Sequence, residues 1–309
     1  MHKINNWEHF LHIVHGLQFF HFFIISNTPK NIVPKRQKGE IQMKKLIVLI
    51  ISAIMLLSLS LPAYSADGIT CWFPPGWKKK ADKARAIAIA LGNESGLQIR
   101  PRIAKSYPEI LTAFSTEQQN LVYVGSFVQA IIKARGLGTP LVQNINGKEF
   151  YSGVLVYPKG GDPAAILKND PDKIAFAVGA SSGESSAKAA TSGKASMGLA
   201  NHGATSAAVV AGKAKAGVVK NWWWESNKSK FPTLEAYEIP GVSLKKNPDN
   251  VLTASKAMDA NTMLKITAAA FNVKEVFGAK QMKPFDGETL SFSLSLMEKG
   301  KIDPMTYTW

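Results

Sequence analysis

Residues 174–190 read IAFAVGASSGESSAKAA. An apolar run from Ile174 to Val178 drops into a Gly/Ser turn, and a helix-prone stretch follows from Glu184. That is a strand, a tight turn and a helix start. Two chemistries fit the turn. Gly179-Ala180-Ser181-Ser182-Gly183 matches G-x-S-x-G, the turn that presents a hydrolase serine. The same residues also suit a ring of hydroxyls and backbone N–H groups closing on an anion at a helix N-terminus.

The unit recurs on both sides. Upstream, ITCWF (69–73), LQIRPRIA (97–104) and NLVYVGS (120–126) read as strands. Helical patterns separate them: 79–96 with a stop at Gly96, 106–118 with Ser106 as N-cap, and 127–138. TPLVQNI and YSGVLVYP read as strands around a turn at Asn146-Gly147. The plan then restarts, with a short helix over 162–172, the strand that leads into the quoted turn, and helices over 184–194 and 202–215. AGVV and LEAYEIPG read as further strands, and 250–271 as a helix. Strands joined by crossover helices predict an α/β fold with mostly parallel sheets. Two such units, one inserted in the other, predict two lobes joined by two crossing strands. The expected spans are 66–153 and 250–309 for the first lobe and 154–249 for the second.

The front of the chain does not fit that plan. MKKLIVLIISAIMLLSLSLPAYSADG, from Met43, has two lysines, a long apolar run and the small-residue exit Ala63-Tyr64-Ser65. Those are the parts of a secretory signal peptide over 43–65, and a periplasmic, exported protein is expected. Residues 1–42 are expected to be a non-native extension upstream of the true start at Met43. The remainder has 244 residues, enough for two lobes with cores of their own. The whole chain carries a net charge of +15, with 37 Lys/Arg and 22 Asp/Glu. Seven of the basic and two of the acidic residues precede residue 66, which leaves 30 against 20, or +10. An exported basic protein suggests an anionic partner. No basic run is interleaved with aromatics, so nucleic acid is set aside. One cysteine excludes an internal disulfide, and counting excludes a Cys/His metal site. No cofactor is expected, and the protein is expected to act as a monomer.

Counting also weighs against catalysis. Five of the six histidines lie before residue 22, so His202 alone could serve Ser181 as a base. A nucleophilic serine needs a base within reach and a group to orient that base. Glu184 is the one carboxylate between them, one helix turn from the serine. Ser185-Ser186-Ala187-Lys188 matches S-x-x-K, but neither of the elements that accompany it in penicillin-recognising enzymes is present.

The binding reading asks for less. Ser181, Ser182 and Gly183 head one helix, and His202 heads the next, where its ring can donate to an anion. Tyr107 heads a third helix, and Tyr123 and Ser126 flank a fourth strand-to-helix turn. In open α/β sheets ligands sit at the carboxyl ends of strands, so four such turns can face one cleft. Trp222-Trp223-Trp224 followed by Glu225 supplies another option, an aromatic box with a carboxylate suited to a quaternary amine. A packed loop with one outward ring fits those residues equally well.

The order SYPEILTAF, VYVGSF, AFAVGASSGESSAKAA, NHGATSAAVVAGKAKAGVV resembles the phosphonate/phosphite/phosphate-type solute-binding proteins of ABC importers, over roughly residues 67–260. The resemblance implies a two-lobed periplasmic binding protein of the second type and an ABC permease of the inner membrane as partner. It also implies a small anionic ligand, phosphonate- or phosphate-like, and no enzymatic activity. By the same resemblance Tyr107 contributes a phenol, Ala180-Ser181-Ser182-Gly183 holds the oxyanion, and His202 is the family's histidine. Three positions depart from the family's pattern. Ala180 replaces a hydroxyl of the loop, Val124 stands for an aromatic residue, and Lys215 stands for an acid. A sensor subunit of the same fold, a binder of a quaternary amine, and a serine hydrolase stand as alternatives.

Overall fold

Val251-Leu252-Thr253-Ala254-Ser255 reads as the start of a helix, but it is a fully buried strand, and it sets the architecture. A strand covered on both faces shows no period-2 alternation, so a short apolar run does not by itself separate strand from helix. The computed structural model describes residues 68–309; the expected extension and signal peptide lie outside the described residues.

Thirteen strands occur among the described residues. The first four are β1 (Ile69–Phe73), β2 (Ile99–Ile103), β3 (Asn120–Val124) and β4 (Gly138–Ile145). There follow β5 (Phe150–Tyr151), β6 (Gly153–Pro158), β7 (Ile174–Ala177), β8 (Met197–Leu199) and β9 (Ala216–Lys220). The last are β10 (Leu234–Tyr237), β11 (Asn247–Pro248), β12 (Val251–Ser255) and β13 (Gln281–Pro284). The longer helices are α1 (Ala81–Ser95), α2 (Tyr107–Phe114), α3 (Ser126–Ala134) and α4 (Pro163–Asn169). Then come α5 (Ser186–Ala190), α6 (His202–Val210), α7 (Asn221–Asn227), α8 (Ala260–Asn272) and α9 (Ser291–Lys299).

The strands make two sheets on one plan. The first runs β2-β1-β3-β12-β4-β13 and the second β8-β7-β9-β6-β10. In the first, β1 is parallel to β2 and β3, and β12 enters antiparallel between β3 and β4. In the second, β7 is parallel to β8 and β9, and β6 takes the antiparallel place beside β9 and β10. The chain crosses between the sheets twice, and the crossings pair with each other as β5 and β11, Asn247 opposite Tyr151. The two-lobed α/β fold with two crossing strands is therefore present.

Alternation along each central strand divides the core between the two faces of its sheet. Ile69, Cys71 and Phe73 of β1 join Leu121 and Tyr123 of β3 on one face, under α1 and α8. Trp72, Val122 and Val124 point the other way, under α2 and α3. In the second sheet Leu155 and Tyr157 face one cluster, and Val154 and Val156 the other.

Several local readings shift. Gly147 does sit in a turn with φ +88°, but the strands on either side, β4 and β6, belong to different sheets. Ser106 occupies the N-cap of α2, yet its hydroxyl makes no capping bond. The Glu109 carboxylate instead accepts from the Lys105 N–H at 2.6 Å. Gly96 ends α1 in the left-handed conformation, φ +69°, as its position suggests. The three tryptophans lie on α7, where successive residues point about 100° apart, and Trp224 alone is fully buried. No described helix is long and apolar enough to cross a membrane.

Candidate ligand-binding cleft

The quoted turn follows β7 as a π-helical turn, Ser181–Ser185, that runs directly into α5. Such turns are rare and frequently lie at functional sites. Two glycines make it possible. Gly179 has φ +71°, and a Cβ there would lie 2.1 Å from the Tyr107 ring, so this position holds the contact between the lobes. A Cβ on Gly183 would lie 2.7 Å from the Ala177 carbonyl oxygen, so the turn folds back against its own strand. The Gly183 N–H donates to the Ala180 carbonyl at 3.0 Å and is thus already engaged within the turn. Ser182 is buried beside it. Of Ser181 the structure describes the backbone, and the expectation for its hydroxyl lies outside the described side chains.

Glu184, a residue of no assigned role in the sequence reading, occupies the centre of this region and is only 2 % exposed. Its carboxylate accepts from the Gly179 N–H at 2.7 Å, from the Tyr307 hydroxyl, and from the Trp309 indole N–H at 3.1 Å. The Lys188 ammonium, one turn along, pairs with it at 3.3 Å. Burial, with the charge of Glu184 second, pushes the Tyr107 phenol up to about 12, so Tyr107 keeps its proton as a donor.

A second group gathers around the crossing strands. Ser126, at the head of α3, shares a hydrogen bond of 2.8 Å with the Tyr151 hydroxyl of β5. The Lys220 ammonium lies over the Tyr151 ring at 4.1 Å and the Trp222 ring at 4.6 Å, and pairs with Asp249 at 2.7 Å. His202, at the head of α6, has a buried Nδ1 with no hydrogen-bond partner and a ring 5.8 Å from that of Trp223. Burial first, and then the charge of Lys220, pushes its imidazolium down to about 4. His202 is therefore neutral at neutral pH, with one ring nitrogen protonated and able to donate. The Ser185 hydroxyl, at the foot of the π-helical turn, is likewise buried without a partner.

Two expected residues stand elsewhere. Tyr123 packs edge-on against Phe277 and Trp77 in the core of the first sheet, and its hydroxyl accepts from the Asn144 amide at 3.4 Å. It was placed at the site because it precedes the turn, but alternation along β3 turns it to the α1 face. Glu225 is exposed and pairs with Lys228 at 2.8 Å on the outer side of α7. Its carboxylate is thus engaged by the lysine at the C-cap of its own helix. The cation positions over Trp222 are taken by Lys220 and Lys148 of the chain itself. Tyr107, the 181–185 turn and Ser126 do come together, since the turn packs against α3. The reading missed Tyr151, Lys220, Tyr307 and Trp309; a lysine just before WWW was the one local signal, and the rest come from distant segments.

Two lobes with one strand plan, meeting through helix heads at the carboxyl ends of their strands, define a type 2 periplasmic binding protein. A family model described as ABC transporter, phosphonate, periplasmic substrate-binding protein matches residues 79–289, and the chain belongs to that family. Solved structures agree on the fold. The chain is similar to PhnD1 of Prochlorococcus marinus, solved in complex with methylphosphonate, at 16% identity and TM-score 0.58, covering 75% of this chain and 97% of that one. It is also similar to a binding protein component of an ABC phosphonate transporter from Pseudomonas aeruginosa, at 12% identity and TM-score 0.58, covering 76% and 87%. A Xanthomonas citri protein solved bound to chloride ion shares 10% identity at TM-score 0.59, covering 76% and 98%. Among curated proteins no sequence matches.

Proposed function

We propose that this protein captures a phosphonate-class oxyanion between its lobes, as the periplasmic component of an ABC importer, and hands it to an inner-membrane permease. The observation that carries this reading is the pair of buried, unpartnered polar groups at the helix heads of the second lobe, the Ser185 hydroxyl and the His202 Nδ1. Unpaired buried polar atoms cost about 1–3 kcal/mol each, a cost that an anion accepting from them would offset. Neutral donors suit this task, because they bind an oxyanion without a buried lysine that must be desolvated. Lys220, held by two rings and Asp249, adds positive potential beside His202.

In this reading Tyr107 and Ser126 present the first lobe, and Ser181, Ser182, Gly183 and His202 the second. Closure of the lobes buries the ligand. The protein acts by binding alone, after export under the direction of residues 43–65. The lobes take the limits 66–153 with 250–309, and 154–249. The cationic ligand of the alternative reading finds less support, because the chain's own lysines occupy the Trp222 face.

Thermal unfolding tests the proposal on protein purified from expression of the full chain. The panel is phosphate, phosphite, methylphosphonate, aminoethylphosphonate, sulfate and glycine betaine. A ligand at about a hundred times its Kd stabilises the fold by about 2.7 kcal/mol. A shift with a phosphorus oxyanion that Ser182→Ala with His202→Ala abolishes supports the reading. A shift with betaine alone moves the site to the tryptophans.

A further inference from the structure

The segment after α9 joins the two lobes through a carboxylate. It is tied to the first lobe by Arg135, whose guanidinium donates to the Pro304 carbonyl at 2.8 Å and the Tyr307 carbonyl at 2.7 Å. Its rings extend the first lobe's core. Trp309 stacks on Tyr107 at 5.7 Å and lies 5.5 Å from Phe127, and Tyr307 meets Phe127 edge-on at 5.8 Å. The polar ends of the same two side chains point the other way. The Tyr307 hydroxyl and the Trp309 indole N–H both donate to Glu184, in the π-helical turn of the second lobe. Lys188 completes the group, donating to the Tyr307 hydroxyl at 3.1 Å and pairing with Glu184 at 3.3 Å. Upstream, α9 puts Leu296 into the second lobe's core and Met297 into the first's.

We propose that Glu184 is an internal anion and that residues 303–309 form a clasp that holds the lobes closed upon it. The carboxylate is buried and takes donors from three directions: the Gly179 N–H, the clasp and Lys188. That is the arrangement by which a protein holds a bound oxyanion, here filled by a side chain of its own. The Tyr107–Gly179 contact lies directly beneath Trp309, so the lobes part along this side only when the clasp lets go. Separation has to break either the bonds to Glu184 or the ring and Arg135 contacts. The inference does not depend on the identity of the ligand.

Hydrogen exchange of the ligand-free protein, read by mass spectrometry over peptides 107–114 and 176–190, tests it. Tyr307→Phe with Trp309→Phe keeps rings on Tyr107 and Phe127 but removes both donors. Arg135→Ala releases the other end. Each variant removes two hydrogen bonds that involve a charged group, and each is expected to speed exchange in both peptides by at least about tenfold, the factor for losing one such bond, while peptides in β6 and β9 keep their wild-type protection. Unchanged exchange in both variants overturns the clasp. So does a rise of equal size in every peptide, which marks a structural role alone. Adding methylphosphonate separates the two proposals. Absence of ligand-dependent protection in all proteins counts against the oxyanion reading and leaves the ligand-free comparison to judge the clasp.

Discussion

The two lobes share a strand plan but not a chemistry. At the helix heads of the first, the residues at the lobe boundary are rings or are already paired: Tyr107 stacks with Trp309, Phe127 packs tilted against it, and Ser126 is bonded to Tyr151. At the helix heads of the second, polar atoms are buried without partners, on Ser185 and His202. At the helix heads one lobe is already paired, and the other carries open polar atoms where β7 and β8 end. The first lobe also buries unpartnered atoms, Gln143 Oε1 and Asn144 Oδ1, but they lie on β4 and not at a helix head; such atoms are rare in a core and call for an explanation. At Gly179 the missing side chain lets the Tyr107 ring of the first lobe approach the backbone of the second.

Substitution of Gly179 breaks the comparison most directly. A methyl group there meets the Tyr107 ring at 2.1 Å and sits on a backbone with φ +71°. Gly179→Ala is expected to cost about 2–4 kcal/mol by denaturant unfolding, from positive φ and overpacking together. The relaxed alternative is that Tyr107 swings away, which fluorescence of the stacked Trp309 would report.

His202 gives the next effect, with a definite pH window. Its pKa is about 4 in the fold and near 6.5 when unfolded, so the unfolded chain takes up the proton first as pH falls. Stability is full above pH 6.5 and declines as pH drops towards 4, by at most about 3 kcal/mol. In His202→Gln this acid-side slope should flatten; a slope equal to that of the wild type would show that the ring is not held neutral by its surroundings.

Lys220→Met removes a cation that joins Tyr151 to Asp249, and leaves Asp249 without that pair. The expected loss is about 1 kcal/mol, because both partners are only partly buried. A larger effect on ligand binding than on stability would assign Lys220 to the site. Glu225→Ala is expected to change stability by less than about 0.5 kcal/mol, since its pair with Lys228 is exposed. Any loss of ligand-induced stabilisation in this variant would return Glu225 to the site.

Much of this is legible in the sequence. The strand-turn-helix unit at 174–190, the Gly96 stop and the repeated apolar runs carry their own local physics: propensity, capping and period. The helix heads of Tyr107, Ser126 and His202 follow from the same signals, because a site at strand ends inherits its position from the order of elements. Local pattern could not separate β12 from a helix, since burial on both faces erases the alternation that identifies a strand. Nor could it show that Tyr123 turns inward, which depends on which face of β3 meets α1.

Long-range placement decided the rest. Glu184 reads as an ordinary residue of a helix start, and acquires its role only when Tyr307 and Trp309, more than 120 residues later, donate to it. Lys220 reads as a surface lysine until the crossing strands bring Tyr151 and Asp249 to it. By itself the sequence determined the α/β plan, the order of its elements and the strand-to-helix turns, because each of these is set by neighbouring residues. Which groups are paired, which are left open and what clasps the lobes were decided by tertiary structure, because burial and hydrogen bonding depend on neighbours that no local pattern names.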